Sequence, residues 1–155
     1  AYGSYHWPFL AQPEPLPERL IGSDPRWYCA QTIASWLEDP GAIDAATMSA
    51  YASAFARPGA VHAACEDYRA GYTCDLDADR ADRDAGKRVA MPLLVLWGAS
   101  RNGARSPHFP SVWRRWADDV TLRPLPCGHF LMEERPEETA AALRAFFDEH
   151  QGRMR

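Results

Sequence analysis

The 155-residue sequence contains no Gly-x-Ser-x-Gly, Gly-x-Asp-x-Gly or Gly-x-Cys-x-Gly. It therefore encodes none of the sharp strand-to-helix turns that expose a catalytic nucleophile. No apolar run approaches the ~20 residues needed to span a bilayer, and no charged-then-apolar leader with a small-residue cleavage site is visible. The four cysteines (Cys29, Cys65, Cys74, Cys127) form no Cys-x-x-Cys pair, and the histidines show no ligand spacing with them or with each other. This argues against a disulfide scaffold and against zinc, and leads us to expect reduced, mostly buried thiols in the cytoplasm. The net charge is −4 and the basic residues are scattered, so neither nucleic acid nor an anionic membrane is an expected partner. No cofactor is expected.

What is present fits a folded domain: 46% of the residues are hydrophobic and 25% charged, the balance of a globular chain with a real core. Residues 1–87 read as a helical region. Pro8, Pro13, Pro15 and Pro17 rule out a helix or central strand from Pro8 to Pro17 on this reading. Asp24 is placed to cap a helix opening at Pro25 and ending before Asp39-Pro40-Gly41. Asp44 caps the next, with Met48, Tyr51 and Phe55 at helical spacing and Pro58-Gly59 as its stop. A third helix runs from about Ala60 through Cys65, Tyr68 and Tyr72. The acidic stretch Asp75 to Asp84 places Arg80 and Gly86 where a calcium loop needs glycine and glutamate, so it reads as a solvated helix instead.

The pattern changes in residues 88–155. Pro92-Leu93-Leu94-Val95-Leu96-Trp97-Gly98 is a continuous apolar run closed by glycine, as in a strand buried on both faces. A loop (Ala99 to Pro107), a helix with Val112, Trp113 and Trp116, and a strand over Val120 to Pro124 follow. A last helix opens near Pro136, with Glu133, Glu134, Glu137 and Glu138 at its positive end and Leu143, Phe146 and Phe147 as its buried stripe. Strand, helix, strand, helix implies parallel pairing. Two parallel strands alone leave their flanks uncovered, so further strands are expected to complete the sheet.

Chemistry gathers at two places. Cys127-Gly128-His129-Phe130 follows the second strand, where α/β-hydrolases carry a general-base histidine. Tyr5-His6-Trp7-Pro8 offers two N–H donors on adjacent side chains. Considered alone, Tyr5 to Pro8 reads as an aromatic cluster opening a helical lid, and Glu66-Asp67-Tyr68-Arg69 as a polar helix face. His62 reads as a packing or capping residue, His108 as a loop residue, and His150 as a cation near a helix C-terminus.

Taken in order, Tyr5 to Pro13, Pro17-Glu18-Arg19-Leu20-Ile21-Gly22, His62-Ala63-Ala64-Cys65-Glu66-Asp67-Tyr68-Arg69-Ala70, Pro92 to Gly98 and Cys127 to Phe130 closely resemble the haloacetate dehalogenases. The resemblance runs along essentially the whole chain. It implies a partial α/β-hydrolase fold, with a helical cap over residues 1–87 and the last two parallel strands with their helices over 88–155. It implies hydrolytic dehalogenation of a small haloacid through an aspartyl ester. His129 matches the water-activating base, His6, Trp7 and Tyr68 match the residues that bind the departing halide, and Trp36 is a pocket-lining candidate. The nucleophile and the triad acid have no counterpart in this sequence; the loop Gly98 to Arg105 has no carboxylate. The chain alone is therefore expected to be inactive.

Two other readings stay open. An epoxide hydrolase shares the aspartate and histidine but polarises its substrate with two tyrosines, for which Tyr68 with Tyr5 or Tyr72 would serve. A non-catalytic remnant that dimerises or binds a partner through its exposed strand edge is the third.

Overall fold

The computed structural model describes residues 5–100 and 109–151. In chain order it has α1 (His6–Leu10), α2 (Leu16–Gly22), α3 (Pro25–Trp36), α4 (Ala45–Phe55), α5 (Ala60–Tyr72) and α6 (Cys74–Asp84). These are followed by β1 (Leu93–Gly98), α7 (Phe109–Trp116), β2 (Val120–Leu125), α8 (Leu131–Glu134) and α9 (Pro136–His150). Two compact units divide the chain: Ala1–Ala34 with Asp44–Gly86, and Ser35–Ile43 with Lys87–Arg155. His108 and most of the loop after Gly98 lie outside the described residues.

The first unit is helical. The expected caps form: Asp24 Oδ1 accepts the Trp27 N–H at 3.0 Å, and Asp44 Oδ1 accepts the Thr47 N–H at 2.7 Å. Each satisfies an N–H that has no partner within its own helix. The prolines did not prevent helix formation. Pro8 is the third residue of α1, and Pro17 the second of α2. Both stand in a first turn, where the missing N–H has no helical acceptor to lose. Leu10, Ile21 and Cys65 form the core, with Phe9, Tyr28, Phe55, Val61 and Tyr68 packed around it. Helix α6 has no buried residue, and its arginines pair with Asp77 and Asp84.

The second unit carries the sheet. β1 and β2 pair in parallel from Leu93 opposite Val120 to Gly98 opposite Leu125, and Val89 bridges Ala117 ahead of them. Arg88 extends this join. Its guanidinium donates to the carbonyls of Arg114, Arg115 and Ala117, and to Asp118, tying the end of α7 to the approach to β1.

Three expectations need correction. Within β1 only Val95 and Gly98 are buried, because among the described residues the sheet has two strands and one edge of β1 has no strand beside it. On α9 the buried residues are Thr139, Ala142 and His150, while Leu143 and Phe147 are exposed; no described element covers that side of the helix. Of the four thiols, only Cys65 and Cys127 are buried, and Cys74 is exposed.

Candidate active site

In the first unit, α1 and α5 bring three of the expected site residues together. Tyr68 stands edge-on to both His6, at 5.8 Å between ring centroids, and Trp7, at 5.4 Å. Tyr72, one turn along α5, also meets Trp7 at 6.5 Å. His6 is only 8% exposed. Burial, reinforced by the Asp67 charge, pushes the Tyr68 phenol above its usual range, so it stays protonated and able to donate. Imidazole, indole and phenol thus gather at one place, each bearing a polar hydrogen on an apolar ring.

Arg69 holds this cluster, and the sequence had cast it as a surface residue. Its side chain is 16% exposed. Nε and Nη2 donate to the Gln12 carbonyl at 2.9 and 2.8 Å, and Nη2 also meets Glu18 at 2.7 Å, with Glu66 bound by Nη1. The residue after Tyr68 thereby fastens α5 to the chain just beyond α1. Burial raises the Glu18 carboxyl, but the hydrogen bond and charge of Arg69, with help from its own backbone N–H and from His62, more than reverse this. The net shift is downward. Glu14, Glu18 and His62 bring ligand atoms within 4.8 Å of one another. However, a guanidinium already bound to Glu18 opposes a cation there.

In the second unit, His129 sits on the loop between β2 and α8, exposed, with its ring edge-on to Trp36 at 5.0 Å. The loop is gripped through its backbone. The His129 N–H donates to the Trp36 carbonyl at 3.0 Å. A Cβ on Gly128 would lie 2.5 Å from that same carbonyl oxygen and 2.6 Å from the Glu38 nitrogen, and one on Gly98 would lie 1.6 Å from the Gly128 carbonyl oxygen. Glycine is required at both positions because main chain meets main chain there. No carboxylate hydrogen-bonds the His129 ring among the described residues.

Sequence reasoning also missed Glu134. It looked like one of four acids at a helix N-terminus, yet it is buried, and Oε2 accepts the N–H groups of Glu38 and Asp39 at 2.8 and 3.0 Å. Only its closeness to the histidine, five residues away, hinted at this. Of the remaining histidines, His62 is exposed and 3.6 Å from Glu18. His150 is buried, with Nδ1 2.8 Å from the Phe146 carbonyl oxygen.

No family model matches the sequence. Comparison with solved structures decides the fold. A "putative epoxide hydrolase" from Pseudomonas aeruginosa superimposes at a TM-score of 0.91 with 38% identity, over 100% of this chain and 52% of that one. A "putative alpha/beta hydrolase" from Nostoc sp PCC 7120 gives a TM-score of 0.84 and 43% identity over 92% of this chain and 48% of that one. The chain belongs to the α/β-hydrolase superfamily. Among curated relatives, a fluoroacetate dehalogenase from Burkholderia sp is 33% identical over 146 residues, which is 94% of this chain and 47% of the relative. The chain thus spans about half the length of the relatives it matches and carries a partial α/β-hydrolase fold. Among the described residues, no helix is long and apolar enough to cross a membrane.

Proposed function

We propose that the active protein containing this chain hydrolytically dehalogenates a small haloacid such as haloacetate through an aspartyl ester. The observation that carries this reading is the His6–Trp7–Tyr68 cluster, in a chain 33% identical to a fluoroacetate dehalogenase over 146 residues. In the first step a carboxylate oxygen supplied outside this sequence attacks the halogen-bearing carbon. The carbon–halogen bond breaks, and its electron pair leaves with the halide. His6, Trp7 and Tyr68 donate to the halide as its charge grows. Such aimed donors stabilise the transition state more than the ground state, each contributing roughly 3 kcal/mol. Fluoride gains most, because its charge is concentrated on one small atom.

In the second step His129 takes a proton from water as the water oxygen attacks the ester carbonyl. The hydroxy acid leaves with that proton, and the carboxylate is restored as the second water proton passes to solvent. Trp36 lines the pocket beside the base. The partners are the haloacid and the halide ion, with neither nucleic acid nor membrane; a homodimer stays an open alternative. Four unpaired thiols suit the reducing cytoplasm.

A second reading is an epoxide hydrolase, favoured by the Pseudomonas structure and by Tyr68 and Tyr72 both meeting Trp7. Halide release from fluoroacetate and chloroacetate, measured beside styrene oxide hydrolysis with the active protein, separates the two. Halide release is expected, with none from this chain alone. Epoxide opening without halide release overturns the proposal.

A further inference from the structure

We propose that Glu134 is a positioning residue for His129; the inference rests on the reading of His129 as the base of ester hydrolysis. Glu134 is 5% exposed, and a carboxylate is costly to bury unless hydrogen bonds compensate it. Its neighbours Glu137 and Glu138 are exposed at the start of α9 and already meet the positive end of that helix, so the helix dipole gives no reason to bury Glu134. What occupies the carboxylate instead is the segment just past α3: Oε2 accepts the Glu38 and Asp39 N–H groups. Two residues earlier, the Trp36 carbonyl accepts the His129 N–H. The same short stretch is therefore held by the side chain of residue 134 and by the backbone of residue 129.

Gly128 fills the space between. A Cβ there would lie 2.7 Å from Glu134 Oε1, as well as within 2.6 Å of both Trp36 O and Glu38 N. Carboxylate, glycine and the 36–39 backbone form one closed contact. The His129 ring takes its 5.0 Å edge contact with Trp36 from this anchorage. Removing the carboxylate takes away two hydrogen bonds that hold Glu38 and Asp39 and so loosens the segment to which the His129 N–H donates.

His129 acts only after halide has left, so a displaced imidazole slows the second step and spares the first. In the active protein, Glu134→Ala is expected to slow ester hydrolysis about 10- to 100-fold, the scale of a misplaced catalytic group. Then kcat and KM fall together, and the ester accumulates, visible as added mass on acid-quenched enzyme. Glu134→Gln keeps an acceptor oxygen and is expected to restore most of the rate. Glu134→Asp, which keeps the charge but shortens the reach, is expected to lie between and serves as the readout if the alanine variant does not fold. His129→Gln is the control. If it accumulates no ester, the reading of the base has failed. If it traps the ester while the Glu134 variants clear theirs at the parent rate per folded enzyme, the positioning role of Glu134 is overturned.

Discussion

The two units fix their functional side chains by different means. In the first, side chains hold side chains: Leu10, Ile21 and Cys65 pack beneath α1 and α5, and Arg69 ties the helices together through Gln12, Glu18 and Glu66. In the second, backbone meets backbone, with Gly98, Gly128 and Trp36 in near contact and one carboxylate closing the arrangement. A side-chain network responds to pH and tolerates small volume changes. A main-chain contact responds little to pH but admits no added atom.

The largest expected effect comes from violating that last condition. Gly98→Ala places a Cβ 1.6 Å from a carbonyl oxygen, and its cost in the second unit is expected to exceed the roughly 3 kcal/mol of ordinary overpacking. Urea unfolding followed by reactivity of buried Cys127 checks it. The first unit, probed by buried Cys65 in the same experiment, is expected to keep its own transition. The corresponding insult to the first unit is Ile21→Ala. Ile21 is 1% exposed, and the loss is expected to be about 3 kcal/mol, as for a large-to-small change in a packed core. Urea midpoints read through Cys65 and Cys127 show whether it is confined to that unit.

A smaller effect separates the units by pH. The folded Glu18 carboxyl lies below its ordinary 4.5, so folding holds the ionised form more tightly than the unfolded chain does. That stability is full above about pH 4.5 and is lost as pH falls through the lower folded value. The first unit is expected to weaken with acid, and Glu18→Gln to flatten the trend, as measured by thermal melts between pH 6 and pH 3. Thiol labelling gives the mildest test. Exposed Cys74 is expected to react first. Cys65 and Cys127, buried and with thiols raised chiefly by desolvation, are expected to react only as their own units open.

The same contrast explains what could be read from the sequence. Helix limits in the first unit follow local chemistry, so Asp24, Asp44 and Gly59 marked them. The two strands followed from the apolar run closed by Gly98 and from the stretch Val120 to Pro124. The gathering of His6, Trp7 and Tyr68 and the place of His129 after β2 were suggested by segments that resemble a known family. Long-range contacts were not. Beyond its closeness to His129, nothing local distinguishes Glu134 from Glu137, since only folding brings the Glu38 N–H to it, and Arg69 looks like any helix-surface arginine until Gln12 is placed beside it. The exposure of Leu143 and Phe147 escaped for the converse reason. Periodicity marks the apolar side of a helix but does not say whether this chain covers it.

Single-turnover halide release by the active protein carrying Trp7→Phe or Tyr68→Phe tests the central claim most directly. Each substitution removes one donor hydrogen and keeps an aromatic ring. If the cluster stabilises the departing halide, fluoride release from fluoroacetate slows about 100- to 1000-fold per donor, and no ester accumulates because the first step has become limiting. Fluoride release at the parent rate in both variants contradicts the account.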